Sequence, residues 1–198
     1  MNNLFEEYKM FTPILEEFIE ISNLVYQSKL VCAYDGNLSV RQGELILITP
    51  SHISKKDLKK EDLVILDKNG QQIAGKHKAS SEYRMHKAIY EGNPEIQAII
   101  HAHPLYATAV FRKIKYVDTT ILTEAKETFK KLPVLPVVEP GTDMLAEQLK
   151  SIDTTSIQAC ILENHGAVTW GNNLREVYYL MESLERLAKT HSILNQMK

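Results

Sequence analysis

The chain has 198 residues, 44% of them hydrophobic, which is enough for one substantial core and predicts a single domain over residues 1–198. Its 23 basic and 25 acidic residues leave a formal net charge of -2, so neither a nucleic-acid partner nor a membrane surface is expected. Two cysteines, Cys32 and Cys160, make no disulfide framework, and the acidic stretch Met1 to Met10 has no long apolar run; a cytoplasmic protein without signal peptide or membrane span is the expectation.

From Ile14, the apolar residues Phe18, Ile21 and Val25 recur at helical spacing and lay one stripe along a helix. Thr12 is its expected cap and Pro13 its first turn, with a short separate helix or a frayed arm before them. Gly36-Asn37 makes a turn into strands at Leu38–Arg41 and Glu44–Thr49, joined by Gln42-Gly43 as a hairpin. Thr49-Pro50-Ser51-His52 ends the second strand. Lys55, Lys56, Lys59 and Lys60 interleave with Asp57, Glu61 and Asp62, a pattern that predicts a solvated face.

Leu63–Asp67 and Gln71–Ala74 are the next strands, with Lys68-Asn69-Gly70 turning between them. A helix is expected from Ser81 to Glu91, closed by Gly92-Asn93-Pro94, with Glu82 and His86 four apart on one face. Strands follow at Gln97–His103, Pro133–Val138, Ile157–Leu162 and Ala167–Trp170. Helices are expected at Pro104–Arg112, Glu124–Lys131, Thr142–Lys150 and Asn173–Asn195. The hairpins argue against a purely parallel sheet, so the predicted fold is a three-layer α/β/α domain with a largely antiparallel central sheet.

Three histidines carry the chemistry. On a strand His101 and His103 project from the same face, and His165, distant in sequence, is followed by Gly166, which permits close backbone approach. Three neutral imidazoles with one open position suit a catalytic zinc, whereas a structural zinc is closed by four protein ligands. His86 is then a structural or supporting residue, because the set is complete without it. The competing reading makes the histidines hydrogen-bonded strand ends and Glu82 a first-turn carboxylate favoured by the helix dipole.

Gly36-Asn37-Leu38-Ser39, Thr49-Pro50-Ser51, Ser80-Ser81-Glu82 with His86, His101-Ala102-His103-Pro104, Pro140-Gly141-Thr142 and His165-Gly166 follow one another in an order that resembles the class II aldolase and adducin family. The resemblance spans Ile14 to the C-terminus. It implies that His101, His103 and His165 bind Zn2+, or another divalent ion such as Mn2+, Co2+ or Fe2+. It also implies that Glu82 is the acid/base, that Gly36, Asn37, Ser51, Ser80 and Ser81 hold a substrate phosphate, and that the protein is a C4 homotetramer with active sites between subunits. The implied activity is aldol cleavage of a small sugar phosphate such as fuculose 1-phosphate. Methylthioribulose-1-phosphate dehydratase, ribulose-5-phosphate 4-epimerase and a non-catalytic adducin-like oligomerisation module are the alternatives.

Two positions depart from the family pattern: Tyr34 stands where a small hydroxyl residue is usual, and His52 where a glycine is. The resemblance implies a proton-donating tyrosine from a neighbouring subunit, which Tyr116 matches only by region, or the Asp of the 4-epimerase members, for which Asp118 is the candidate. Both could equally be ordinary loop residues, and no tyrosine follows Tyr179 to serve as a C-terminal lid.

Overall fold

The computed structural model describes residues 2–197, with side chains from Tyr8 to Met197. Of the Met1–Met10 stretch, Met1 lies outside the described residues, and so do the side chains of residues 2–7. The first helix, α1 (Asn2–Gln27), runs unbroken through Pro13, and this corrects the expected start at Thr12. Thr12 is no cap; its hydroxyl donates to the Tyr8 carbonyl one turn back, 3.4 Å away. An interior proline costs about 3 kcal/mol. Phe11 offsets it, because it extends the stripe of Phe18, Ile21 and Val25 and is fully buried with them, a gain of about 1.5–3 kcal/mol.

Among the described residues eight strands form one sheet: β1 (Asn37–Gln42), β2 (Leu45–Ile48), β3 (Val64–Leu66), β4 (Gln72–Ala74), β5 (Ala98–Ala102), β6 (Val134–Leu135), β7 (Ala159–Leu162) and β8 (Gly166–Gly171). Their spatial order is β4-β3-β2-β1-β5-β8-β7-β6, and every pairing is antiparallel except β6 with β7. The expected strand at Pro133–Val138 shrinks to two residues, since Pro136 has no N–H with which to continue the ladder.

The remaining helices are α2 (Tyr83–Gly92), α3 (Leu105–Val110), α4 (Thr123–Thr128), α5 (Asp143–Lys150) and α6 (Leu174–Gln196). They split the apolar residues into two clusters, one on each face of the sheet. Ala98, Ile100 and Ala102 of β5 pack with α1, α3 and α6, whereas Ile99 packs with α2 and α5. Strand alternation therefore turns His101 toward α2, on the side of Ile99. Among the described residues no helix is long and apolar enough to cross a membrane, and both cysteines are free.

Candidate active site

Strand β1 alternates in the same way. Leu38 and Val40 enter the α1 side of the core, which leaves Asn37, Ser39 and Arg41 facing α2. On α2 and its cap the residues four apart, Glu82, His86 and Tyr90, face back. The two periods meet as a polar seam inside an otherwise apolar layer. Arg41 fixes one end by donating to the carbonyls of Tyr90, Asn93, Pro94 and Ile96, where α2 runs out of internal partners.

The direction of every hydrogen bond in the seam follows from Glu82. A carboxylate only accepts, so Asn37 turns its amide N–H to Oε2, 2.8 Å away. The Asn37 carbonyl oxygen then accepts from His86 Nε2–H. His86 Nδ1 is left with a lone pair that accepts from the Ser39 hydroxyl at 2.7 Å, and Ser39 Oγ accepts from the Tyr90 hydroxyl at 2.8 Å. All donors point one way, toward Glu82. Burial, followed by the nearby His101, pushes the fully buried His86 down to about 3, so it stays neutral in this chain.

Glu82 caps α2 rather than lying within its first turn, because the helix opens at Tyr83 and not at the expected Ser81. Its Oε2 lies 3.2 Å from His101 Nε2 and its Oε1 3.3 Å from His165 Nε2, while His101 and His103 bring their Nε2 atoms within 3.0 Å. The ligand atoms of these four residues all fall within 4.8 Å of one another. Gly166 makes this possible: a Cβ there would stand 2.3 Å from the Ala102 carbonyl and 2.7 Å from the His103 ring.

These four side chains form a group that could hold a metal ion. His101 Nδ1 faces the Ala167 carbonyl at 3.0 Å and must be the donor, so in the neutral ring the Nε2 lone pair points into the cluster. There it meets the Glu82 carboxylate, and Glu82 Oε1 is buried without a hydrogen bond. Lone pairs converging at 3.0–3.3 Å repel unless positive charge lies among them. Tetrahedral zinc ligands stand roughly 3.3 Å apart, and the His101–His103 pair, at 3.0 Å, lies near that spacing. Without an ion, a proton on His101 can supply that positive charge. Burial opposes ionisation of Glu82, yet His101 beside it, and then His165, hold the carboxyl well below its usual range. Burial would lower His101, but Glu82 draws it up; burial and then His101 push His165 down to about 4.

Beside the cluster lies a cavity of about 430 Å³ lined by Gly36, Asn37, Ser51, Ser80, Ser81, Glu82 and His103, together with Tyr34, Asp35 and His52. Every residue that the resemblance assigns to phosphate thus reaches one space. Ser51 Oγ donates its proton to the Ala79 carbonyl, whereas Ser80 Oγ accepts from the Glu82 N–H and keeps its own proton to donate. Tyr116 and Asp118 do not line the cavity; the Lys131 ammonium lies over the Tyr116 ring, and the Asp118 carboxylate is turned onto the Thr120 N–H and hydroxyl.

Lys55 corrects the expectation of a solvated basic face. It is 1% exposed and donates to the Tyr34 carbonyl at 3.0 Å, beneath the loop that carries Asp35. Burial lowers it to about 8, against the pull of Asp35 and Glu82. Asp62 is buried as well, paired with Lys76 and His77. No motif marks Lys55, Asp35 or Tyr90, and none gives Ser39 a role; the signal for Ser39 is a hydroxyl residue at an alternating position in a strand buried on both faces.

A chain with this fold and this cluster can be placed by comparison. The sequence profile of the class II aldolase and adducin N-terminal domain matches residues 16–192, and the chain belongs to that family. Among its relatives, the L-fuculose phosphate aldolase of Methanococcus maripaludis strain S2 is 40% identical over 93% of this chain and 99% of that protein. The 3-oxo-tetronate 4-phosphate decarboxylase of Haemophilus influenzae is 33% identical over 88% and 84%. The crystal structure of L-fuculose-1-phosphate aldolase from Thermus thermophilus superposes with a TM-score of 0.81 at 28% identity, covering 93% of this chain and 95% of that one.

Proposed function

We propose that the protein is a divalent-metal-dependent lyase that breaks, or in reverse makes, a carbon–carbon bond in a small phosphorylated ketose such as fuculose 1-phosphate. The carrying observation is the convergence of three imidazole Nε2 atoms and one carboxylate beside a cavity walled by hydroxyls and an amide. His101, His103 and His165 hold the metal, with zinc favoured by the all-imidazole set. A divalent ion held there would supply a Lewis acid for the negative charge that carbon–carbon cleavage leaves on the substrate oxygens.

The chain's own residues divide the rest. Asn37 occupies Glu82 Oε2, so Oε1 is the atom that moves the proton. Ser51, Ser80, Ser81, Asn37 and the Gly36 turn grip the phosphate, and His52 adds a ring at the cavity rim. The subunits form a cyclic tetramer. The decarboxylase relative supports a second reading, loss of CO2 from a 3-oxo acid phosphate, which leaves the same kind of charge. A scaffold has no chemical need for this cluster, which argues against an adducin-like role.

Metal analysis by mass spectrometry of wild type, His103→Ala and His165→Ala tests the site, with about one ion per chain expected only in wild type. A screen of ketose phosphates and 3-oxo acid phosphates then separates aldol cleavage from decarboxylation. Unchanged metal content in both variants would remove the metal from the proposal.

A further inference from the structure

We propose that Asp35 is a positioning residue for His103, an outer carboxylate that raises the affinity of the cluster for a divalent metal ion. The inference rests on the reading that His101, His103 and His165 hold that ion. His101 and His103 are braced by different chemistry: His101 Nδ1 meets a carbonyl, that of Ala167, whereas His103 Nδ1 lies 3.3 Å from the carboxylate oxygen Asp35 Oδ2. A carboxylate on the outer nitrogen fixes the Nδ1–H tautomer, sets the ring plane and pushes electron density toward Nε2, the atom that faces the cluster.

Asp35 is committed to this contact by the loop around it. Its Oδ1 accepts from the Cys32 N–H at 2.6 Å, and its own N–H donates to the Cys32 carbonyl at 3.0 Å, so the carboxylate is fixed as Oδ2 meets the ring. Ala33 takes the left-handed region (φ 46°), and so does Gly36 (φ 69°), where a Cβ would stand 2.8 Å from the His101 carbonyl. The loop is thereby pressed against the end of β5. Lys55 holds it from beneath through the Tyr34 carbonyl, one residue before Asp35. On the other side, the His103 N–H donates to the Leu30 carbonyl at 2.9 Å, which fixes the backbone that carries the ring.

The test uses the whole metal-free protein and zinc alone, titrated in competition with a chromophoric chelator. Asp35→Ala should weaken zinc binding about 10–100-fold, the range found when outer partners of metal-bound histidines are removed. Asp35→Asn keeps an acceptor for the Cys32 N–H and lacks the charge, so it should fall between Ala and wild type even if the Ala variant folds poorly. A cobalt-loaded sample adds a spectroscopic readout: the visible absorption bands should shift in Asp35→Asn, as they report ligand orientation. Zinc affinity in Asp35→Asn equal to wild type, with unmoved cobalt bands, would overturn the inference and leave Asp35 as a cavity-wall acceptor for substrate. His103→Ala is the control: if it binds zinc like wild type, the metal reading itself fails and this inference goes with it.

Discussion

His52 holds a backbone conformation that a glycine adopts without strain. Its φ of 59° lies in the left-handed region, which costs a side-chain-bearing residue roughly 1–2 kcal/mol, although histidine is among the residues found there more often than most. The resemblance to a family with glycine at this position thus has a backbone reason, and the ring is an addition at the rim of the cavity, 6.4 Å from the Tyr34 ring in an edge contact. If His52 donates to a phosphate oxygen, His52→Gly removes one hydrogen bond to a charged group, about 1.5–3 kcal/mol, or at least tenfold in affinity. Calorimetric titration with phosphoglycolohydroxamate should show that loss while the unfolding midpoint barely moves. Tighter binding by the variant would mean that the ring obstructs the cavity.

Glu82→Gln tests the neighbouring assignment. The amide keeps the size of the side chain but moves no proton, so metal content should hold while turnover falls about 10²–10⁴-fold. Near-normal turnover would remove Glu82 from the proton path, and lost metal would make it a ligand. His101 and His103 show in the sequence as a same-face strand pair, whereas Glu82 takes its part there only from the resemblance; the structure brings both together with His165. Asp35 and Lys55 were not legible, since their roles depend on which side of a loop faces a strand end. The alternating charges around Lys55 read as solvent-exposed because they give no sign that the Tyr34 carbonyl lies above it.

At the scale of elements, the seam between β1 and α2 links the site to the stability of the layer. Unfolded, His86 titrates near 6.5; folded, burial and His101 hold it near 3. Between these values the unfolded chain binds a proton that the folded chain does not. Stability therefore falls as pH drops through 6.5 and keeps falling toward 3, by at most about 1.4 kcal/mol per pH unit from this residue. Urea unfolding of the metal-free protein across that range should show a shallower pH slope for His86→Gln than for wild type, whatever the variant's absolute stability. Equal slopes would show that His86 is not the neutral link. The helix and strand of this seam were placed from sequence to within two residues, because their hydrophobic periods are strong. The continuity of α1 was not, since Pro13 is a local stop signal that the distant burial of Phe11 overrides.

At the scale of the molecule, several large apolar side chains remain exposed: Leu105 (69%), Met144 (66%), Val137 (56%) and Tyr179 (52%). A cyclic tetramer would cover surface of this kind. Light scattering at micromolar concentration should give four times the mass of one chain, and a mass near that of a single chain would exclude it. The mixed sheet and its helical layers were legible in the chain order of hairpins and helices, whereas subunit contacts leave no periodic mark.

Gly166 is also the first residue of β8, and Ala167 beside it pairs with Ala102 in the ladder that joins β8 to β5. The histidines on either side of that ladder are thus held by the same backbone pairing that closes the middle of the sheet. Whatever binds all three of them binds only the registered sheet, so occupancy and folding are thermodynamically linked. An ion present at a thousand times its dissociation constant would add about 4 kcal/mol to the stability of the fold. Withdrawing it with a chelator should lower the melting temperature of the whole chain, and the resistance of a preparation to heat would then report how fully the protein is loaded.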